Sequence, residues 1–167
     1  FTTNNVAEKE KQCVSIAESL RLQGLIMITC QPENTGLFEK IMESMKLVLV
    51  EREVNGLDCN YIAINNKKSI HYAVSTLISQ GYSPVALIAG QEKHSSERRC
   101  LEGYKNGLSD NGLCFSQSYV KQINETNESA FQAAAQLLQL SDPPKSILCT
   151  STQFVDGVMG AMKWADK

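Results

Sequence analysis

Polar side chains of one kind recur in this chain wherever an apolar run stops. Thr29 and Cys30 close LIMITC, Glu51 and Arg52 follow LVLV, Asn65 and Asn66 follow YIAI, Gln91 follows VALIAG, Asn124 follows YVKQI, and Thr150, Ser151 and Thr152 follow SILC. If those runs are parallel strands, the residues stand beyond their carboxyl ends, where open sheets bind ligands. Amides, hydroxyls and charges in such a position suit multidentate hydrogen bonding to a polyol or an anion. Arg98 and Arg99 add guanidinium groups in the first turn of a predicted helix. There the helix dipole favours an anion, and a phosphate or carboxylate accepts paired hydrogen bonds from arginine. The candidate ligand-binding residues are therefore Glu51, Arg52, Asn65, Arg98, Arg99, Thr150, Ser151 and Thr152. Several have plainer roles: Ser151 and Thr152 stand where a helix needs a cap, and Arg99 has Glu102 three residues on as an ion-pair partner.

Catalytic chemistry finds little to work with. Gly81-Tyr82-Ser83-Pro84-Val85 approaches a nucleophile elbow but lacks the closing glycine and sets a proline where the strained turn would enter a helix. There is no Walker A motif and no G-x-G-x-x-G. Glu51 and Asp58 are carboxylates whose separation nothing fixes. Six cysteines without C-x-x-C spacing, beside only His71 and His94, make no recognisable metal ligand set. They read as small buried thiols in a reducing compartment. No metal, no cofactor and no enzyme activity are expected.

The elements that must hold the polar residues can be traced in order. Asn5 with Glu8 resembles a capping box for a helix to about Leu22, with Gly24 ending it before the strand 25–30. Leu37, Phe38, Ile41, Met42 and Met45 recur at helical spacing, and strands follow at 47–51 and 60–64. Ile70, Ala73, Val74, Leu77 and Ile78 form one helical stripe, ended by Gly81 and Pro84 before the buried strand 85–89. Strand, helix and strand over Tyr61 to Gly90 thus read as a right-handed crossover within one parallel sheet. A helix at about 97–108 follows, with Gly103 tolerated where another backbone packs closely. Then come a strand at 119–123, a helix from Thr126 or Asn127 through Leu140, the strand 146–149, and a last helix whose stripe is Phe154, Val155, Val158, Met159 and Met162. Two strands succeed each other without a helix near 51–61, which marks a lobe boundary: lobe one at 1–64, lobe two at 65–167.

A length of 167 residues with 43% hydrophobic content supports a real core. Sixteen basic and eighteen acidic residues, well mixed, give a net charge of −2 and no electrostatic footprint for nucleic acid or anionic membrane. No apolar run reaches transmembrane length.

The Asn-rich strand end, LISQGY, VALIAG and the downstream Arg-Arg-x-x-x-Gly-Tyr together resemble the effector-binding domain of LacI-type bacterial transcription regulators. That resemblance implies a two-lobed α/β fold shared with periplasmic sugar-binding proteins, each lobe a parallel sheet with helices on both faces, here incomplete at both ends. It implies a sugar or sugar-phosphate effector that closes the lobes, a homodimer, a cytoplasmic location, and DNA contact only through a helix-turn-helix head that would precede Phe1. Phe1 to Cys30 looks like the family's second αβ unit. The opening strand and helix would then be absent, and the exposed sheet edges would need the missing chain. Family members commonly carry a ligand-gripping Arg where this chain has Cys100, with Arg98 and Arg99 just before it, and many sugar-responsive members carry an Asp where it has Thr152. CTSTQFVDGVM is similar instead to the fructose and sucrose repressor branch, some of whose effectors are phosphorylated. A periplasmic sugar-binding protein serving a transporter is the alternative.

Overall fold

The computed structural model describes residues 1–165. The chain divides into two compact units, Phe1–Ile64 with His94–Ser96 and Asn65–Lys93 with Glu97–Lys167.

Unit 1 contains α1 (Ala7–Ser19), β1 (Gly24–Met27), α2 (Thr35–Ser44), β2 (Lys46–Val50) and β3 (Asn60–Ile62). Its three strands are parallel in the order β1-β2-β3. The register pairs Leu25 with Leu47 and Leu49 with Tyr61. One face of the sheet is thereby leucine-rich, and it buries Val14 and Ala17 of α1 with Phe38 and Ile41 of α2. Alternate residues of the same strands point the other way, and Ile26 and Ile62 are 74% and 63% exposed. Helices therefore cover one face of this sheet, where both were expected.

The helix α1 departs from its sequence reading at both ends. It starts at Ala7, with Val6 at the N-cap and no side-chain cap. Asn5 lies outside it in a left-handed conformation, φ 58°. At the other end Arg21 takes the left-handed position, φ 51°, while Arg21 N–H donates to Glu18 O and Leu22 N–H to Ala17 O. That Schellman pattern closes the helix before Gly24. Gly24 is then free to begin β1.

Unit 2 contains α3 (Asn66–Ser79), β4 (Val85–Ala89), α4 (Ser95–Asp110) from Glu97 onward, β5 (Val120–Gln122), α5 (Asn127–Leu138), β6 (Ser146–Cys149), a 3-10 turn at Thr152–Phe154 and α6 (Val155–Ala165). The parallel order is β5-β4-β6. The central strand β4 is no more than 2% exposed at any residue. Its Val85, Leu87 and Ala89 pack with Val74 of α3 and Tyr104 and Leu108 of α4. Ala86 and Ile88, on the other face, pack with Ala130, Ala134 and Leu137 of α5, with Phe154 of the 3-10 turn and with Val158 and Ala161 of α6. This sheet has helices on both faces.

The expected crossover over Tyr61 to Gly90 is not one unit of one sheet. β3 pairs with β2, whereas β4 pairs with β5 and β6. The apolar stripe of α3 is real, but it packs on the face of β4. Periodicity reports that a helix has a buried side, not which strand that side meets. Gly81 ends α3 as expected, with φ 83° and Tyr82 N–H donating to Leu77 O. Gly103 is required where expected, since a Cβ there would collide with the Lys67 backbone carbonyl.

The last helix also turns its stripe. A 3-10 turn precedes α6 and shifts its phase, so Phe154, Gly157, Val158 and Ala161 are buried. Val155, Met159 and Met162 are 44–48% exposed. No helix among the described residues is long and apolar enough to cross a membrane.

Candidate functional site

In unit 2 the chain leaves β4 for α4 on one face of the sheet, forms β5 on one side of β4, then returns by α5 along the opposite face to form β6 on the other side. The connections after β4 and β6 consequently part to opposite faces. This is a topological switch point, where an open α/β sheet forms a crevice beyond its strand ends. The residues placed there are Gly90 after β4 and Thr150, Ser151 and Thr152 after β6.

These strand ends are tied together by Glu97 in the first turn of α4. Its Oε2 accepts from the Gly90 N–H at 2.8 Å and from the Thr150 hydroxyl at 2.8 Å. Gly90 makes room for it, because a Cβ would lie 3.0 Å from Glu97 Cδ. Thr150 N–H continues the ladder to Ile88 O at 3.1 Å. Ser151 caps the following turn, its hydroxyl accepting from Gln153 N–H at 3.3 Å. Thr152 is exposed at the start of that turn. Sequence reasoning missed Glu97, because an acidic residue in the first turn of a helix is ordinary.

The other candidates of this unit are placed apart. Arg98 donates through Nη1 to the carbonyls of Glu92 and Lys93, at 2.8 and 3.2 Å, closing the loop before its own helix. Arg99 is half-buried, and Glu102, the partner its spacing suggested, pairs with Lys67 at 3.2 Å. Cys100 is 4% exposed. Asn65 is exposed and accepts from Lys68 N–H at 3.0 Å as the cap of α3. Gln91 and Asn124 do meet, at 2.6 Å, beside an open hollow of about 340 Å³ lined also by Gln122, Ser129, Gln132 and Gln136.

In unit 1 the strand ends are organised around a buried acid. Glu10 of α1 is 1% exposed. Its carboxylate accepts from the Thr29 hydroxyl at 2.8 Å and the Cys30 N–H at 2.6 Å. Thr29 Oγ1 also accepts from Gln31 N–H at 2.9 Å, so one threonine links acid and loop. Arg52 approaches from the end of β2, its Nη1 donating to Thr29 O at 3.1 Å and to Asn5 Oδ1 at 2.7 Å. Asn5, expected to cap α1, thus holds an arginine instead. Glu51 is held in a left-handed conformation, φ 64°, by its N–H to Ile62 O and by the Tyr61 hydroxyl on its own carbonyl. Burial pushes the Cys30 thiol up to about 11, with Glu10 adding to the rise. Such a thiol stays protonated and unreactive. No cluster of His, Cys, Asp and Glu among the described residues could hold a metal ion.

A family model described as periplasmic binding proteins and sugar binding domain of LacI family matches residues 2–166. The chain belongs to this family. Among its relatives, the protein named "Probable HTH-type transcriptional repressor ExuR" of Bacillus subtilis (strain 168) is 26% identical over 144 residues, which are 86% of this chain and 43% of that protein. The HTH-type transcriptional repressor CytR of Escherichia coli (strain K12) is 23% identical, over 93% of this chain and 46% of that protein. The chain thus spans less than half the length of these relatives. The crystal structure of transcription regulator CcpA of Lactococcus lactis superposes with a TM-score of 0.85 at 18% identity, covering 99% of this chain and 60% of that one. At that identity the likeness establishes the shared fold. The LacI-family fold accounts for two parallel sheets in succession, each with polar residues at its strand ends.

Proposed function

We propose that the chain is the effector-binding portion of a LacI-type DNA-binding regulator, with residues 1–64 part of its N-terminal lobe and 65–167 most of its C-terminal lobe. The carrying observation is the switch point at the ends of β4 and β6, where Thr150 and Gly90 hold a fixed carboxylate and Ser151 and Thr152 follow, in a chain of this family. The effector is a sugar or sugar phosphate, held by hydroxyl, amide and charged groups of the strand ends, with Glu51, Arg52, Asn65, Arg98 and Arg99 as the further candidates. DNA is contacted through a helix-turn-helix head outside this chain, the protein acts as a homodimer in the cytoplasm, and it catalyses no reaction. The exposed Val155, Met159 and Met162 of α6 support a dimer contact. Tyr104 and Leu108 of α4, by contrast, are buried within their own unit and do not contribute to one.

The effector would act by population shift, binding one conformation more tightly than another and moving the equilibrium only by that difference. The relatives named as transcriptional repressors favour this reading over a periplasmic sugar-binding protein. Fluorescence anisotropy of the intact protein on DNA from upstream of its own gene tests it. At least one member of a panel of sugars and sugar phosphates should change DNA affinity by about fivefold or more. DNA binding that ignores the whole panel refutes the proposal.

A further inference from the structure

We infer that Glu97 sets the charge of the ligand at the β4 and β6 strand ends, selecting a neutral polyol over its phosphorylated form. The inference rests on the effector-site reading above and adds the chemical class of the effector. Glu97 Oε2 is already shared between the Gly90 N–H and the Thr150 hydroxyl. Oε1 accepts no hydrogen bond, and no lysine, arginine or histidine among the described residues pairs with the carboxylate. An ionised carboxylate offers only acceptors, so a ligand group that meets Oε1 must be a donor.

Thr150 points the same way. Its hydroxyl proton is committed to Glu97, which leaves the oxygen as an acceptor for whatever lies beyond. Two neighbouring groups at the switch point therefore both ask for a donor. Sugar hydroxyls supply donors. A phosphate supplies acceptors and a like charge, which the half-buried carboxylate opposes. Arg98, one of the two arginines that could reverse this balance, is engaged elsewhere, since its Nη1 is bound to the carbonyls of Glu92 and Lys93. The seat for the carboxylate is also close-fitting, because a Cβ at position 90 would stand 3.0 Å from Glu97 Cδ and crowd the side chain.

The experiment is an NMR titration of the intact protein with glucose, galactose and ribose, with glucose 6-phosphate and ribose 5-phosphate, and with inorganic phosphate, following the amide signals of Gly90 and Thr150. A neutral sugar should shift both signals, and its phosphate should bind about tenfold or more weakly, the factor expected of a charge-assisted hydrogen bond replaced by repulsion. Glu97→Gln, which keeps an acceptor for Gly90 and Thr150 but removes the charge, should narrow the difference between sugar and sugar phosphate. The wild-type comparison stands without the variant if Glu97→Gln does not fold. A phosphorylated sugar or inorganic phosphate preferred at these two amides overturns the inference. So does a neutral sugar that shifts only distant amides, such as those around Gln91 and Asn124, although the effector reading then survives. Silence of every amide signal to every probe overturns that reading and the inference together.

Discussion

Replacing Glu10 should loosen the strand ends of unit 1 in a graded way. The carboxylate is 1% exposed and accepts from the Thr29 hydroxyl and the Cys30 N–H. Thr29 is itself fully buried, so neither donor can turn to water. Hydrogen bonds to a charged acceptor contribute about 1.5–3 kcal/mol each, and leaving a buried donor unsatisfied costs about 1–3 kcal/mol. Relief from burying the charge offsets part of that loss, because an ion in the interior carries a desolvation penalty of several kcal/mol. The net cost of Glu10→Ala should be about 2–4 kcal/mol. Glu10→Gln keeps an acceptor for Cys30 and should cost about 1 kcal/mol. Because Arg52 leans on the Thr29 carbonyl, the alanine variant should also free that arginine and weaken effector binding. Urea unfolding of the intact protein gives the energies, and amide hydrogen exchange at Cys30 and Gln31 gives the location. A Glu10→Ala protein within about 0.5 kcal/mol of wild type, the range of an ordinary surface change, would refute the reasoning. Unchanged exchange at Cys30 would do the same.

Two glycines of α6 should respond oppositely to alanine. At Gly157 a Cβ would collide with Asn127 O and stand 2.8 Å from Ala130 Cβ, so Gly157→Ala should destabilise by about 1–3 kcal/mol through overpacking. At Gly160 the nearest atom is Phe131 Cδ2 at 3.4 Å, so Gly160→Ala should be neutral or gain up to about 1 kcal/mol of helix propensity; equal melting temperatures for the two variants would contradict this. Tyr104, 1% exposed, donates its hydroxyl to Val85 O at 2.8 Å, and burial raises its pKa to about 12. The fold thus holds the proton more tightly than the unfolded chain does, so this contribution is complete below about pH 10 and is lost as pH rises through 12. Alkaline unfolding should begin later in Tyr104→Phe than its loss of about 1 kcal/mol at neutral pH would suggest, and parallel pH curves for variant and wild type would count against the assignment.

Much of this fold could be read from local chemistry. Val85 to Ala89 is apolar on both sides because both sides are covered. Gly81 and Thr126 stand where a left-handed cap and an N-cap are needed, and Thr126 accepts from Ser129 N–H at 3.1 Å. What local chemistry does not carry is partnership between distant elements. The same apolar run serves β3 whether it pairs with β2 or with β4, and only the register decides. Glu10 lies among Glu8, Lys9 and Lys11 and reads as part of a solvated face, although it is buried. Its role depends on Thr29 and Cys30, 19 and 20 residues away. Arg98 reads as a ligand group from its type and place, but its guanidinium folds back on its own loop. Gln91 and Thr150 to Thr152 stand beyond β4 and β6, as the apolar runs indicate. That these two strand ends adjoin at a switch point follows from the order β5-β4-β6, which the sequence does not state.

The most direct test of an effector site at these strand ends is hydrogen exchange of the intact protein, measured by mass spectrometry with and without saturating sugar or sugar phosphate. The account predicts that the bound effector slows exchange in the peptides containing Gly90 and Thr150–Thr152 and in those containing Glu51 and Arg52. Binding that protects neither set of peptides, or protects only the hollow beside Gln91 and Asn124, would contradict it.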